Sequence, residues 1–332
     1  TLASGLAGVI ARWLIIAWRP QLMFSFQSVK GLLNYGWKMT ASTFLDSAYR
    51  NLSSLLIGKF YVKDNLAFIN KGEQPVQLMM DSLNNSIGVV AFPVLSQLQN
   101  DPDRVRGAMQ RIILCTTFFV FPAMTGCALC ARPIILFLFG EQWLPAIPFL
   151  QLACFSYVLY PFQSVNLKAV AALGRSDVFL KLEIIKKVYG ITLLALSLPH
   201  GVLCFVAVGS FVSCPLSLIV NSWPNRKLLK YSIAQQLKDV APVSMIAGMM
   251  GLIVFAVGEV MRVCFQNSAS VESTWFMVGK LFLQFAVGAG VFMCLAVLFK
   301  LRTLKDLMTL LGPKFEACLS KLFCAVKFVT VH

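Results

Sequence analysis

The sequence is poor in charge, and above all in acidic residues. Only 13% of its 332 residues are charged, about half of the roughly 25% found in soluble domains. A soluble protein of this length needs more polar side chains to cover its surface, so an ordinary cytosolic enzyme and a disordered chain are excluded. The chain is instead 58% hydrophobic, with a mean hydropathy of +0.75. These values predict an all-α polytopic membrane protein.

Residues for catalysis and metal binding are also scarce. There are two histidines, and most of the ten cysteines lie in apolar runs, where Cys behaves as a small hydrophobe. The sequence contains no Ser-His-Asp set, no Walker A motif and no hydrophilic connection long enough for a catalytic domain. We therefore predict a protein that is not an enzyme and has no catalytic residues, metal site or bound cofactor.

Nine apolar segments, lettered A to I, predict about nine transmembrane helices, at roughly 20 residues per span. In chain order they cover residues 2–18, 32–57, 75–98, 112–131, 147–172, 188–198, 202–220, 241–261 and 275–299. After them, leucines at helical spacing alternate with lysines in residues 301–332, which predicts an amphipathic helix on the membrane surface.

The net charge of +15 is distributed unevenly along the chain. When Lys38 and Lys168 are counted with their neighbouring loops, one set of alternate connections and the tail hold 21 Lys and Arg, and the other set holds five. Cytoplasmic loops carry the excess of basic residues in membrane proteins. The asymmetry favours this explanation over nucleic-acid binding and predicts a cytoplasmic C-terminus.

Segment B has a polar face inside an apolar span. Thr43, Asp46, Arg50 and Ser53 follow one another at steps of three, four and three, which places them on one side of a helix. Asp46 and Arg50 lie one turn apart and can neutralise each other. They are predicted either to face a polar cavity or to form a structural ion pair.

Segment C has a longer polar stripe, formed by Gln74, Gln77, Asp81, Asn84 and Gly88. Asn85 lies beside it. Such a stripe either lines a cavity or forms hydrogen bonds between helices, and the first alternative is favoured. Asp81, the acid of the stripe, is a candidate proton or cation site.

Segment E repeats the pattern with Ser156, Tyr160, Gln163 and Asn166, followed by Lys168. Tyr160, Gln163 and Asn166 are predicted to line the same cavity. Lys168 either extends to the cytoplasmic interface or contacts a substrate phosphate.

Several short motifs, in order and spacing, resemble those of one transporter family. They are Gly36-Trp37-Lys38, Leu56-Ile57-Gly58-Lys59-Phe60-Tyr61, Asn70-Lys71-Gly72, Phe92-Pro93-Val94-Leu95-Ser96, Trp143-Leu144-Pro145 and Ala172-Leu173-Gly174-Arg175-Ser176-Asp177. Across residues 20–240 the chain is similar to the polysaccharide-transport (Wzx-type) flippases of the multidrug/oligosaccharidyl-lipid/polysaccharide (MOP) superfamily.

The resemblance implies two lobes of six helices, of which this chain looks like the C-terminal part. Residues 1–18 would be the last helix of the first lobe, 25–223 the second lobe, 240–300 two additional helices, and 301–332 the cytoplasmic tail. The implied activity is the movement of undecaprenyl-diphosphate-linked oligosaccharide across the bacterial inner membrane, with proton or sodium coupling. Implied partners are the lipid-linked oligosaccharide, membrane lipids, a polysaccharide polymerase and glycosyltransferases.

Three other functions remain open at this point. An ion-coupled drug exporter of the same fold would have a more hydrophobic cavity. A non-transporting scaffold in a polysaccharide assembly complex would need no cavity. A polysaccharide polymerase would need a long periplasmic loop, and every connection here is short.

The predicted orientation can be tested by cysteine labelling. In a cysteine-free background, Asp177→Cys lies in a predicted cytoplasmic loop and should be labelled by an impermeant thiol reagent only after the membrane is opened. Labelling of intact spheroplasts from the periplasmic side would contradict the predicted orientation.

Overall fold

A computed structural model of the chain describes residues 5, 6, 8, 25–61, 63–264, 274–299, 301 and 304, and these residues form helices and short connections without a strand. The helices are α1 (Phe26–Phe60), α2 (Lys63–Gln97), α3 (Pro102–Leu129), α4 (Ala131–Phe139), α5 (Ile147–Val158), α6 (Tyr160–Ala172), α7 (Ser176–Ser197), α8 (Val202–Val208), α9 (Cys214–Leu228), α10 (Ile233–Cys264) and α11 (Thr274–Leu298). The chain divides into two compact units, residues 1–37 and 38–332. All sites described below lie within the second unit.

The predicted membrane segments B to I each coincide with a helix or a broken helix, which confirms an all-α polytopic membrane protein. Five helices in the described part of the chain are long and apolar enough to cross a bilayer, or six if the bent pair α5–α6 is one span. Charged residues keep α1 and α7 out of this group. Segment A, apart from residues 5, 6 and 8, lies outside the described residues, so the count of nine spans and the division into lobes stay predictions.

The connection predicted between segments B and C is far shorter in the structure. Residues 58–74 were expected to form a loop, but α1 continues to Phe60 and α2 begins at Lys63. Pro75 is tolerated within α2, although it removes a backbone donor. As a result, about three additional turns of α2 lie beside α1.

Segment E is bent at its centre into α5 and α6, which meet at an angle of 41°. Pro161 stands in the first turn of α6, where its missing N–H interrupts the helical hydrogen-bond ladder. A second irregularity follows α8, where residues 209–213 form a π-helical turn before α9. Both irregularities adjoin the cavity described below.

Segment F extends further towards the N-terminus than its apolar core of residues 188–198. It forms α7, which starts at Ser176 and includes Lys186 and Lys187. These lysines pair with Glu183 on the same helix and with Asp46 on α1. Because the charges are paired, α7 continues through a stretch that hydropathy alone assigns to a loop.

The first turns of α10 are joined to α3 and to the connection before α10 by hydrogen bonds to Asp239. The Tyr231 hydroxyl donates to Asp239 Oδ2 at 2.8 Å, and Gln110 Nε2 on α3 donates to the same oxygen at 3.0 Å. Burial raises the pKa of Tyr231, whose ring also receives the Arg106 guanidinium at 5.6 Å. Leu301 and Leu304 are buried, and the rest of the predicted amphipathic tail lies outside the described residues.

A buried cluster of three amides joins α6, α9 and α10. Asn166 Nδ2 donates to Gln236 Oε1 at 2.8 Å, while Asn166 Oδ1 accepts from Gln236 Nε2 at 3.0 Å and from Asn225 Nδ2 at 2.7 Å. Asn166 is 0% exposed. The prediction that Asn166 lines a cavity is therefore wrong, because its amide is used to join three helices.

Asn166→Ala should destabilise the protein by about 1–3 kcal/mol, because it leaves the Asn225 and Gln236 amides without partners in an apolar interior. The measurement is reversible unfolding in mixed detergent micelles. Asn85→Ala, which removes an exposed amide on α2, should change the free energy of unfolding by less than about 0.5 kcal/mol. Equal losses in the two variants would contradict a structural role for the cluster.

Candidate functional site

A polar cavity of about 460 Å³ lies among α1, α2, α5, α7 and the irregular segment that contains α8. This volume is within the range of about 300–1,000 Å³ typical of small-molecule sites. Its polar lining consists of Tyr49, Arg50, Ser53, Ser54, Asn70, Glu73, Gln77, Ser156, Tyr157, Ser197, Ser210 and Ser213. Hydroxyl and amide groups dominate, and one cation and one carboxylate accompany them.

The α1 wall carries the predicted ion pair. Arg50 Nε lies 2.9 Å from Asp46 Oδ2, one helical turn away, and Arg50 lines the cavity. Asp46 is not a lining residue, because its other oxygen, Oδ1, accepts from Lys187 Nζ on α7 at 2.6 Å. The sequence predicted the Asp46–Arg50 pair but not its third member.

Lys187 holds α1 against α7 through several contacts. Its ammonium lies 4.8 Å from the centre of the Tyr49 ring and 3.8 Å from Glu183 Oε2. Glu183 is itself buried and bonds Lys186 Nζ at 2.5 Å. Gly190, one turn further along α7, touches the Tyr49 hydroxyl so closely that a Cβ there would lie 2.9 Å from it. Shape and charge therefore both fix α1 against α7.

One part of the polar stripe of α2 lines the cavity, and another part forms hydrogen bonds to a neighbouring helix. Gln77 lines the cavity. One to two turns later, Asn84 Oδ1 accepts from Ser164 Oγ at 3.0 Å and from Lys168 Nζ at 3.1 Å, so this part of the stripe joins α2 to α6. Lys168 also donates to the Asn84 carbonyl at 3.2 Å. The Lys168 ammonium is therefore held at α2, and its extension to the cytoplasmic interface stays a prediction.

The remaining predicted site residues lie outside the cavity lining. Asp81 and Asn85 are exposed on α2. Tyr160 packs edge-on against Tyr157, with ring centres 6.1 Å apart. Gln163 Nε2 donates to the Cys214 carbonyl at 3.2 Å, where the π-helical turn passes into α9. Of the ten predicted site residues, Arg50 and Gln77 line the cavity.

Sequence reasoning missed Asn70, Glu73, Tyr49 and Tyr157 as lining residues. Asn70 and Glu73 were assigned to a loop, yet they precede Gln77 by seven and four residues on a continuous helix. That spacing extends the polar stripe towards the N-terminus and was the available signal. No comparable pattern distinguishes Tyr49 and Tyr157 from aromatic residues that pack in a core.

The chain matches a family model described as "Polysaccharide biosynthesis protein" over residues 1–148. It is 23% identical over 241 residues to the teichuronic acid biosynthesis protein TuaB of Bacillus subtilis, a match that covers 72% of this chain and 50% of TuaB. It is 27% identical over 169 residues to the lipopolysaccharide biosynthesis protein WzxC of Escherichia coli, covering 51% of this chain and 34% of WzxC. The chain thus spans about half the length of the curated relatives it matches, or less.

The fold is similar to that of the lipid II flippase MurJ in its inward closed conformation. The TM-score is 0.58 at 16% identity, over 84% of this chain and 56% of MurJ. The chain is thus similar in sequence to polysaccharide biosynthesis proteins and in fold to a lipid flippase. The described residues include no group of three or more His, Cys, Asp or Glu side chains that could hold a metal ion.

Lys187→Gln should destabilise the contact between α1 and α7. The expected loss is about 1–2 kcal/mol, less than the roughly 3–5 kcal/mol for a fully buried pair, because Asp46 is partly exposed and keeps Arg50. Reversible unfolding in mixed micelles gives the value. Lys181→Gln, an exposed lysine on α7, is the matched control and should have little effect. An unchanged stability in Lys187→Gln would show that the contact does not depend on this charge.

Proposed function

We propose that this chain forms one lobe of a membrane flippase. The complete protein moves undecaprenyl-diphosphate-linked oligosaccharide across the bacterial inner membrane for surface polysaccharide synthesis. It is a transporter and not an enzyme, and it works by alternating access of the cavity between two lobes. The family match and the likeness to a lipid II flippase fold support this assignment.

The main observation behind the proposal is that the Arg50 side chain has unpaired hydrogen-bond donors in the cavity. Its Nε is bonded to Asp46, while its four terminal N–H donors have no partner among the described residues, and its side chain is 73% exposed. It is the one Lys or Arg among the described lining residues. A planar guanidinium with free donors suits a diphosphate, to which it can donate two parallel hydrogen bonds.

Other lining residues can form hydrogen bonds with the sugar. Amides of Asn70 and Gln77 and the hydroxyls of several serines can donate to and accept from sugar hydroxyls. No covalent step is required, since translocation changes only the side of the membrane. A drug exporter for apolar cations would be better served by an apolar lining without an arginine.

Binding to the cavity can be measured with this chain. In lipid nanodiscs, an undecaprenyl-diphosphate-linked sugar should bind the Asp46→Asn/Arg50→Gln double variant about tenfold more weakly, as expected if about 1.4 kcal/mol of charge-assisted hydrogen bonding is lost. Native mass spectrometry would report the bound fraction.

The matched control is Asp101→Asn/Arg104→Gln. Arg104 is 74% exposed and paired with an acid on the same helix, but it lies outside the cavity. Asn at position 101 also preserves the N-cap of α3. Equal weakening in both double variants would indicate a general charge effect and contradict a diphosphate site at Arg50.

In cells, the same two double variants test transport in the full-length flippase. Both should reach normal membrane abundance. The amide oxygen introduced by Asp46→Asn can still accept from Lys187, which also keeps Glu183 at 3.8 Å, and the Asp101–Arg104 pair is exposed. The cavity variant should lose surface polysaccharide, whereas the Asp101/Arg104 variant should retain it. Normal polysaccharide in the cavity variant would make Arg50 a structural residue.

A further inference from the structure

Glu73 is the acidic residue of the cavity lining and differs from the other acids near it. It follows Asn70 by three residues and precedes Gln77 by four, so all three lie on the cavity face of α2. Its side chain is partly buried. Among the described residues, no hydrogen bond or ion pair reaches its carboxylate.

The basic residues near Glu73 already interact with other groups. Lys71, two positions away, donates to Gln74 Oε1 at 3.2 Å and lies over the rings of Phe139 and Trp143, at 4.8 and 5.7 Å from their centres. Across the cavity, Arg50 is paired with Asp46. Neither cation is therefore a direct counter-ion of Glu73.

Asp46 is, by contrast, poorly suited to take up a proton. It is held by Arg50 and also by Lys187 at 2.6 Å. Even if an arriving diphosphate withdrew Arg50, the Asp46 carboxylate would keep the Lys187 ammonium. An exchangeable proton requires a carboxylate whose charge is not already balanced, and in the cavity lining this is Glu73.

Close packing beside Glu73 holds this turn of α2 in place. A Cβ on Gly72 would lie 2.8 Å from the Ala146 carbonyl oxygen and 2.8 Å from Phe149 Cβ, so only glycine allows this approach. The titratable groups that share the cavity with Glu73 are Tyr49 and Arg50 on α1 and Tyr157 on α5. The described lining residues of α7 and α8 and of the π-helical turn carry no titratable side chain.

We propose that Glu73 is the proton-binding residue that couples transport to the proton gradient, a proposal that rests on the flippase function above. The carboxylate takes up one proton from water in the cavity, becomes a neutral acid, and releases the proton when the cavity opens to the other side. A single unpaired carboxylate in an apolar membrane protein is costly to keep charged, and one proton removes that cost.

A proton needs fewer ligands than a metal cation, and the described lining offers a single carboxylate beside its amides and hydroxyls. A hard cation needs several oxygen ligands held around it. Glu73 is the one carboxylate that lines the cavity in the described chain, and no group of three acidic or metal-ligating side chains accompanies it there. A proton needs a single oxygen.

Proton uptake and substrate binding should favour each other. A diphosphate at Arg50 brings negative charge into the cavity that holds Glu73, and like charges repel. Neutralising Glu73 removes this repulsion. By linkage, protonation then strengthens diphosphate binding by the same factor by which the diphosphate strengthens protonation.

The test is infrared difference spectroscopy of this chain in lipid nanodiscs during a pH titration. The wild type and Asp81→Asn, an exposed acid on the same helix, should both show a carboxylic acid band that appears as the pH falls. Glu73→Gln should lack this step, and Glu73→Asp should retain it with a shifted midpoint. A step that survives in Glu73→Gln, or that disappears in Asp81→Asn, overturns the assignment.

A second experiment distinguishes proton binding from sodium binding at Glu73. Replacing sodium by choline at constant ionic strength should leave the midpoint unchanged, and a changed midpoint would show that Glu73 binds sodium and overturn the proposal. These readouts need no lipid-linked sugar. A chain that titrates as expected but does not bind the sugar lipid would contradict the proposed function and leave the protonation of Glu73 established.

Linkage is then measured with a diphosphate diester lipid, whose phosphates stay ionised near neutral pH. Its affinity for the wild type should rise several-fold as the pH falls through the Glu73 titration. The affinity for Glu73→Gln should be independent of pH and equal to the low-pH value of the wild type. A wild-type affinity that does not change across the titration overturns the coupling.

Discussion

The need for every polar side chain in the bilayer to find a partner within the protein governs this structure. Lipid offers no hydrogen bonds, so an unpaired polar group inside a span raises the energy of the folded state. The Asn166 amide satisfies this requirement by bonding Asn225 and Gln236, and Asp46 does so by bonding Arg50 and Lys187. These contacts join helices that have few other reasons to associate in a membrane, where hydrophobic side chains pack equally well against lipid.

The cavity contains two charged groups that do not meet this requirement. The terminal donors of Arg50 and the carboxylate of Glu73 have no partner among the described residues, and both groups line the same space. Each group by itself would be a defect in a membrane helix. Their occurrence together in a polar cavity distinguishes groups available to a ligand from groups that hold the helices together.

Irregular helices make room for the cavity. Pro161 separates α5 from α6, and residues 209–213 widen into a π-helical turn whose Ser210 and Ser213 face the cavity. Straight helices in these places would pack along their full length. Such interruptions are common at functional sites in transporters, because they expose backbone and small polar side chains to a water-filled space.

The sequence by itself determined the membrane class, the approximate positions of the apolar helices and the Asp46–Arg50 pair, because these depend on composition and on neighbours within one helix. Hydropathy failed where charges are paired, within α7 at Lys186 and between α7 and α1 at Lys187, and where a helix runs through a polar stretch, as at Asn70 and Glu73. Only the tertiary structure decided which polar residues serve the cavity. Gln77 and Asn166 both stand in polar stripes of similar spacing, yet the first lines the cavity and the second is buried among amides. The difference depends on which helix packs against each face, and helical spacing within a single segment contains no information about the neighbouring helix.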